Sequence, residues 1–220
     1  MPPDVMKPIP RFRPTGTVYG VLLNFQREWA QWAPRMGEAP YQAAPKAPVL
    51  YVKSDNTLAE AGEILVLQDG IEAVELGATL GLVMGPQGRV ASLALLADWS
   101  VPHASYFRPA IRHRCRDGYL SLPQAVTACG DLSELPRLTL TVRRNDAVVQ
   151  TVSLKDLVRG VPPLLADVSS FMTLQGGDVL MVGSDVLADG RRPLFRAGDR
   201  LRLEAPGLCP VEVPVKGEGA

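Results

Sequence analysis

Residues 75–85 read Glu-Leu-Gly-Ala-Thr-Leu-Gly-Leu-Val-Met-Gly. After Glu75 the run is almost wholly apolar, with glycine at 77, 81 and 85. Each such glycine costs a helix on the order of 1 kcal/mol, whereas a strand accepts glycine where another backbone comes close. The stretch therefore reads as a core strand, and it sets the chain in a β-rich class. Composition agrees: Gly and Pro each occur 20 times in 220 residues, enough for many turns and short strands.

Working outward from that strand, Val49–Lys53 reads as a strand followed by the turn Ser54–Thr57. Glu63–Gln68 reads as another, closed by the hairpin signal Asp69-Gly70. Val18–Asn24 is an apolar buried strand, and Gln26–Trp32 is a helical turn that Pro34 ends. Residues 33–48 carry Pro34, Pro40, Pro45 and Pro48 and read as a loop. Downstream, Leu138–Arg143 and Val148–Val152 form a hairpin about Arg144–Ala147. Leu154–Phe171 has the best helical spacing, interrupted by Pro162 and Pro163. Gly176-Gly-Asp178 and Ala197-Gly-Asp199 each open a strand, Val179–Gly183 and Arg200–Glu204. The expected fold is α+β and β-rich, a mixed β-roll or sandwich with few helices. Residues 1–16 are read as an extended arm, 17–215 as the domain and 216–220 as a tail.

Lys plus Arg and Asp plus Glu are 23 each, and the pI is 6.7. A neutral chain has no global field for nucleic acid or an anionic membrane, so neither is an expected partner. No apolar run approaches the ~18 residues of a spanning helix. Prolines 2, 3, 8, 10 and 14 do not suit the apolar helix of a signal peptide. Cys115, Cys129 and Cys209 are odd in number and widely spaced, which reads as reduced thiols in a cytoplasmic protein.

The densest polar cluster runs from Asp98 to Gly118. It holds both histidines, His103 and His113, and Arg108, Arg112, Arg114 and Arg116. Guanidinium forks match planar carboxylates, so an acidic small molecule is one reading; a solvated basic loop is the other. The histidines are ten residues apart and form no metal-ligand pattern. No GxSxG, P-loop or dinucleotide fingerprint is present; GLVMGPQG at 81–88 has the wrong spacing.

Leu23-Asn24, Val52-Lys53, Tyr106-Phe-Arg-Pro109, Arg116-Asp-Gly118 and Gly177-Asp178 with Gly183 together resemble the fumarylacetoacetate hydrolase family. The resemblance spans about Thr17 to Val215. SYFRPAIRHRCRDG at 105–118 and Ser170–Asp178 point to a particular branch. That branch decarboxylates 5-oxopent-3-ene-1,2,5-tricarboxylate and isomerises 2-hydroxyhepta-2,4-dienedioate in aromatic-compound catabolism. It occurs as two domains in tandem or as two chains. The resemblance implies a β-roll of the fumarylacetoacetase type and a Mg²⁺ or Mn²⁺ that stabilises an enolate. It also implies substrates that are dicarboxylate or tricarboxylate 2-oxo acids.

The metal pattern is broken. The family's Glu-x-Glu falls on Gly77 and Thr79, and only the Asp is kept, as Asp98. Glu72 and Glu75 lie an odd number of residues apart, on opposite strand faces. The general-base His becomes Glu28 and its Glu becomes Gln31; the active-site Lys becomes Arg114; the GTP loop becomes Gly183-Ser184-Asp185. The segment from Gly85 to Asp98 is short, so a family helix is expected to be missing there. The resemblance thus implies catalytic roles for Arg114 and Glu28 and substrate contacts for Arg108, Tyr106, Lys53 and Ser184. The divalent ion is then expected on a homologous metal-bearing partner chain, or within a homo-oligomer. The alternative is a non-catalytic subunit that completes the fold or oligomer of such a partner.

Overall fold

The computed structural model describes residues 11–103 and 110–219. Along the first half the strands are β1 (Val18–Leu22), β2 (Val49–Lys53), β3 (Leu58–Ala59), β4 (Leu65–Leu67), β5 (Val74–Met84), β6 (Val90–Ser100), β7 (Leu120–Ser121) and β8 (Thr127–Ala128). The second half adds β9 (Thr139–Arg144), β10 (Ala147–Ser153), β11 (Val179–Met181), β12 (Leu194–Phe195), β13 (Arg200–Glu204) and β14 (Val211–Gly217). Among the described residues three α-helices accompany them: α1 (Gln26–Trp32), α2 (Ile111–Arg114) and α3 (Val161–Ser169).

Among the described residues the strands build a nine-stranded and a five-stranded sheet. The larger runs β2-β1-β11-β5-β6-β7-β3, with β12 beside β5 and β8 beside β6. It is mixed: β1 and β11 are parallel, as are β3 and β7, and the other pairs are antiparallel. The smaller runs β10-β9-β13-β14-β4. The core lies between the sheets. Leu76, Leu80, Leu95 and Trp99 of the larger meet Leu140, Val142, Leu201 and Val213 of the smaller. The fold is thus the expected β-rich α+β architecture with few helices.

The strand at 75–85 is the spine. β5 and β6 form a long antiparallel hairpin, with Gly77 opposite Asp98 and Thr79 opposite Leu96. Only a short helical turn at Pro86–Gly88 joins them, so the helix expected to be missing is replaced by a tight connection. Even residues of β5 face the inter-sheet core and odd ones the other face. On that second face a Cβ at Gly81 would lie 2.6 Å from Leu96 Cδ1 and 2.9 Å from Val179 Cγ1, which is why glycine stands there.

Three readings need correction. Asp69-Gly70 does make a turn, with Ile71 N–H donating to Gln68 O at 3.0 Å. However, β4 does not pair with β5; it crosses to the smaller sheet and pairs parallel with β14. The helix expected over Leu154–Phe171 forms only as α3, after a helical turn at Leu154–Asp156. Pro162 and Pro163 do not interrupt it but open it, in the first turn, where no intrahelical N–H is required. Finally, β14 continues to Gly217, so residues 216 and 217 belong to the sheet and not to a tail. The hairpin of β9 and β10 forms as expected. Asn145 and Asp146 take φ of 50° and 67°, the left-handed pair of a tight hairpin turn.

Candidate active site

The polar residues of the sheet's second face gather around Asp98. Cross-strand pairing puts Glu75, Gly77 and Thr79 of β5 on one face with Ser100, Asp98 and Leu96 of β6. Asp98 is 2% exposed. Its Oδ1 accepts from Lys53 Nζ at 2.8 Å, and its Oδ2 from Arg114 Nη1 at 3.1 Å and from the Tyr51 hydroxyl. β2 supplies Tyr51 and Lys53, and α2 supplies Arg114, whose guanidinium also sits 5.0 Å from the Tyr51 ring centre.

Burial alone would push the Asp98 carboxyl up, but Lys53 and Arg114 outweigh it and hold it below the usual range. Tyr51 moves well above its ordinary value through burial and the neighbouring Asp98, so its hydroxyl stays protonated and donates. Lys53 is wholly enclosed. Besides Asp98 it donates to the carbonyls of Tyr119 at 2.8 Å and of Arg114. Its three protons are thereby used by the protein itself.

A second cluster lies next to the first. Glu28 of α1 is buried; Oε2 accepts from Leu23 N–H at 2.9 Å, and Oε1 pairs with Arg192. Arg192 Nε lies 3.2 Å from Ser184 Oγ. A Cβ at Gly77 would meet that same Oγ at 3.0 Å and Asp98 O at 3.2 Å, so Gly77 joins the two clusters. Glu75 lies within the field of both guanidiniums: burial raises its carboxyl, and Arg192 and Arg114 oppose the rise. His103 and His113 stack beside these groups, ring centres 5.0 Å apart and planes within 6°.

The structure thus brings together Lys53, Asp98 and Arg114 on one side and Glu28 and Ser184 on the other. Tyr106 and Arg108 lie outside the described residues. Three contributors were not anticipated. Tyr51 lay unnoticed in a predicted strand, one turn of the pleat before Lys53. Arg192 sits in the irregular stretch before β12, which carries no periodic signal. Glu75 reads from the sequence only as a substitute for a missing ligand. Asp185 is not part of the Asp98 cluster; its carboxylate accepts from Val186 N–H at 2.8 Å and pairs with Arg27 at 3.4 Å. Asp178 of the Gly-Asp turn is structural, accepting from Thr17 N–H and Gln175 N–H, both at 2.7 Å.

The donors fit a divalent cation poorly. Gly77 and Thr79 bring no carboxylate, and both oxygens of Asp98 already accept from cationic or hydroxyl donors. Among the described residues no three His, Cys, Asp or Glu side chains converge as a ligand set. Mg²⁺ and Mn²⁺ need near-octahedral oxygen cages, which this face does not offer.

The mixed sheet, with its polar face around Asp98, defines a class. Residues 17–216 match the family described as Fumarylacetoacetate (FAA) hydrolase C-terminal, and the chain belongs to that family. It is similar to the 4-hydroxyphenylacetate degradation bifunctional isomerase/decarboxylase of Salmonella dublin, 33% identical over 213 residues. That match covers 92% of this chain and 48% of the relative. The homoprotocatechuate catabolism bifunctional isomerase/decarboxylase of Escherichia coli is 32% identical over the same shares. The chain therefore spans about half the length of these curated relatives, which are enzymes. Among solved structures, fumarylpyruvate hydrolase from Pseudomonas aeruginosa, in complex with Mn²⁺ and pyruvate, superposes with a TM-score of 0.73 at 18% identity. It covers 98% of this chain and 100% of that one, and shows the shared fold. No helix among the described residues is long and apolar enough to cross a membrane.

Proposed function

We propose that the chain is a subunit of an aromatic-catabolism isomerase/decarboxylase. Its substrates would be 5-oxopent-3-ene-1,2,5-tricarboxylate and 2-hydroxyhepta-2,4-dienedioate. In this reading the metal site of the chain is degenerate, and a homologous Glu-x-Glu-bearing domain or chain holds the Mg²⁺ or Mn²⁺. The observation that carries it is the state of Asp98: Gly77 stands opposite it, and Lys53, Tyr51 and Arg114 take its oxygens. The likeness to half of a two-activity enzyme supplies the substrate class. Arg114 and Arg192 supply a cationic setting suited to a polycarboxylate. The bound metal, on the partner, would polarise the 2-oxo acid unit.

The test is an ultraviolet assay of loss of the conjugated dienedioate with Mg²⁺. The purified chain is compared alone, with a homologous Glu-x-Glu partner chain, and with the partner alone. Slow turnover by the chain and full turnover by the pair supports the proposal. Full Mg²⁺-dependent turnover by the chain alone overturns it. Equal turnover by partner and pair moves the chain to the purely structural role.

A further inference from the structure

We propose that Leu23 is a positioning residue of the polycarboxylate site: its left-handed backbone fixes Glu28 and, through Glu28, the Arg192 guanidinium. This rests on the substrate class proposed above and adds a residue to it. Among the described residues four non-glycine positions have positive φ: Leu23, Gln87, Asn145 and Asp146. The last three are exposed, in connections between strands. Leu23, with φ of 59°, is 3% exposed. A bulky side chain tolerates that region poorly, and such a conformation persists only where its surroundings impose it. Residues held in this way cluster at functional sites.

Leu23 stands between β1 and α1, and its N–H donates to Glu28 Oε2 at 2.9 Å. Glu28 is the third residue of α1. A glutamate there ordinarily reaches back to the amide of the N-cap, which is Phe25; here Oε2 reaches two residues beyond that. Asn24, 1% exposed, locks the bend. Its Nδ2 donates to Val182 O at 2.8 Å, and its Oδ1 accepts from Arg159 N–H at 2.9 Å. Behind it lies Gly183, where a Cβ would stand 3.2 Å from both Asn24 Cβ and Val21 O. Ser184 follows directly in the chain.

The same carboxylate carries the effect to the charged part of the site. Glu28 Oε1 pairs with Arg192, and Arg192 Nε–H donates to Ser184 Oγ at 3.2 Å. The bend thus holds both ends of this series: Glu28 through the Leu23 amide, and the Ser184 segment through Asn24. A guanidinium fork matches a planar carboxylate only when its own plane is fixed. If the backbone angle at residue 23 relaxes, the amide, the carboxylate and the guanidinium move together. The role is exerted through Arg192, without contact between Leu23 and the ligand.

The test compares substitutions by the backbone angle they allow. Glycine adopts positive φ freely and alanine does not, although both remove the leucine side chain. Binding of 2-oxoglutarate to the full chain in EDTA is titrated by NMR. The Nε–H signal of Arg192, identified by its loss in Arg192→Lys, is followed for shift and solvent exchange. Leu23→Gly is expected to keep that signal and an affinity within about 3-fold of the wild type. Leu23→Ala should shift the signal, speed its exchange and weaken binding about 10-fold or more, the worth of a charge-assisted hydrogen bond. A merely structural role would lower the melting temperature of both variants and move neither readout. If Leu23→Ala does not fold, Leu23→Asn and Leu23→Val replace the pair, since asparagine accepts the left-handed region and valine does not. Wild-type affinity or an unchanged Arg192 signal in Leu23→Ala or Leu23→Val overturns the proposal, as do equal losses in Leu23→Gly and Leu23→Ala. Those results leave the substrate class standing. Failure of the wild-type chain to bind 2-oxoglutarate strikes the substrate class, and the positioning role with it.

Discussion

Asp98 sets the charge balance of the site at the scale of a single residue. Lys53 is fully as buried as the carboxylate it faces, and Arg114 nearly so. Removing one member of such a set leaves charge without compensation, which costs about 3–5 kcal/mol. Asp98→Asn should therefore lower stability by about that much in urea unfolding. The double variant Asp98→Asn with Lys53→Met should recover part of the loss, because no lysine charge remains buried. The pH sign follows from the depressed carboxyl. Its stabilisation is complete above the ordinary value of 3.8 and is lost as pH falls through the lower folded value. The gap between wild type and Asp98→Asn should accordingly be widest near neutral pH and close below about pH 4. Arg114 has the same structural attachment. Arg114→Ala should lower the melting temperature as well as any activity of the complex; an unchanged melting temperature would show that its bond to Asp98 carries little stability.

At the scale of the element, α3 shows how a local signal is read in two ways. Prolines at 162 and 163 suggest a break inside a helix, yet they stand in its first turn, where they are harmless. The helix is held by Leu164 and Val168, both wholly buried in the inter-sheet core. Leu164→Ala should cost about 2–5 kcal/mol, whereas Pro162→Ala should cost less than about 1 kcal/mol. Equal losses in the two variants would contradict this account of the helix. β5 offers a second case. Gly81 is packed against Leu96 and Val179, so Gly81→Val should destabilise by about 1–3 kcal/mol or more through overpacking.

For the whole molecule, the outer side of the smaller sheet is laced with ion pairs. Arg143 meets Glu204 at 2.8 Å, Arg202 meets Glu204 at 2.9 Å, and Arg200 meets Glu212 at 2.6 Å. Such exposed pairs contribute little each, and they make that side a solvated one. Apolar groups are exposed at the β4 edge of the same sheet, at Ile64 and Val66, and elsewhere at Val52 of β2 and Ile111 of α2. The chain matches about half of its two-activity relatives, so association with a second domain of its kind is expected. Light scattering should give a mass above 23.7 kDa in the presence of a metal-bearing homologue. A clean monomer in that mixture would remove the proposed complex. Calorimetric titration of the chain alone with Mn²⁺ should show no tight stoichiometric site, since of the two carboxylates on that face, Glu75 and Asp98, Asp98 is already paired with Lys53 and Arg114.

The sequence by itself determined the class of the fold and that positions 77 and 79 of its central strand carry no carboxylate. Glycine-spaced apolar residues at 75–85, the alternation around Arg144–Ala147 and the two Gly-Asp turns are local signals, and local periodicity carries them. Gly77 and Thr79 likewise declare the absence of two carboxylates without any structure. Tertiary structure alone decided where β4 pairs, because a turn fixes chain reversal but not which sheet receives the next strand. It alone showed that the charge of Asp98 is met by Lys53 and Arg114, that Tyr51 donates to it, and that Glu28 is claimed by Arg192. Those partners lie 45, 16, 47 and 164 residues away in the chain. Charge compensation inside a core depends on distance through space and on exclusion of water, and neither is written in residue spacing.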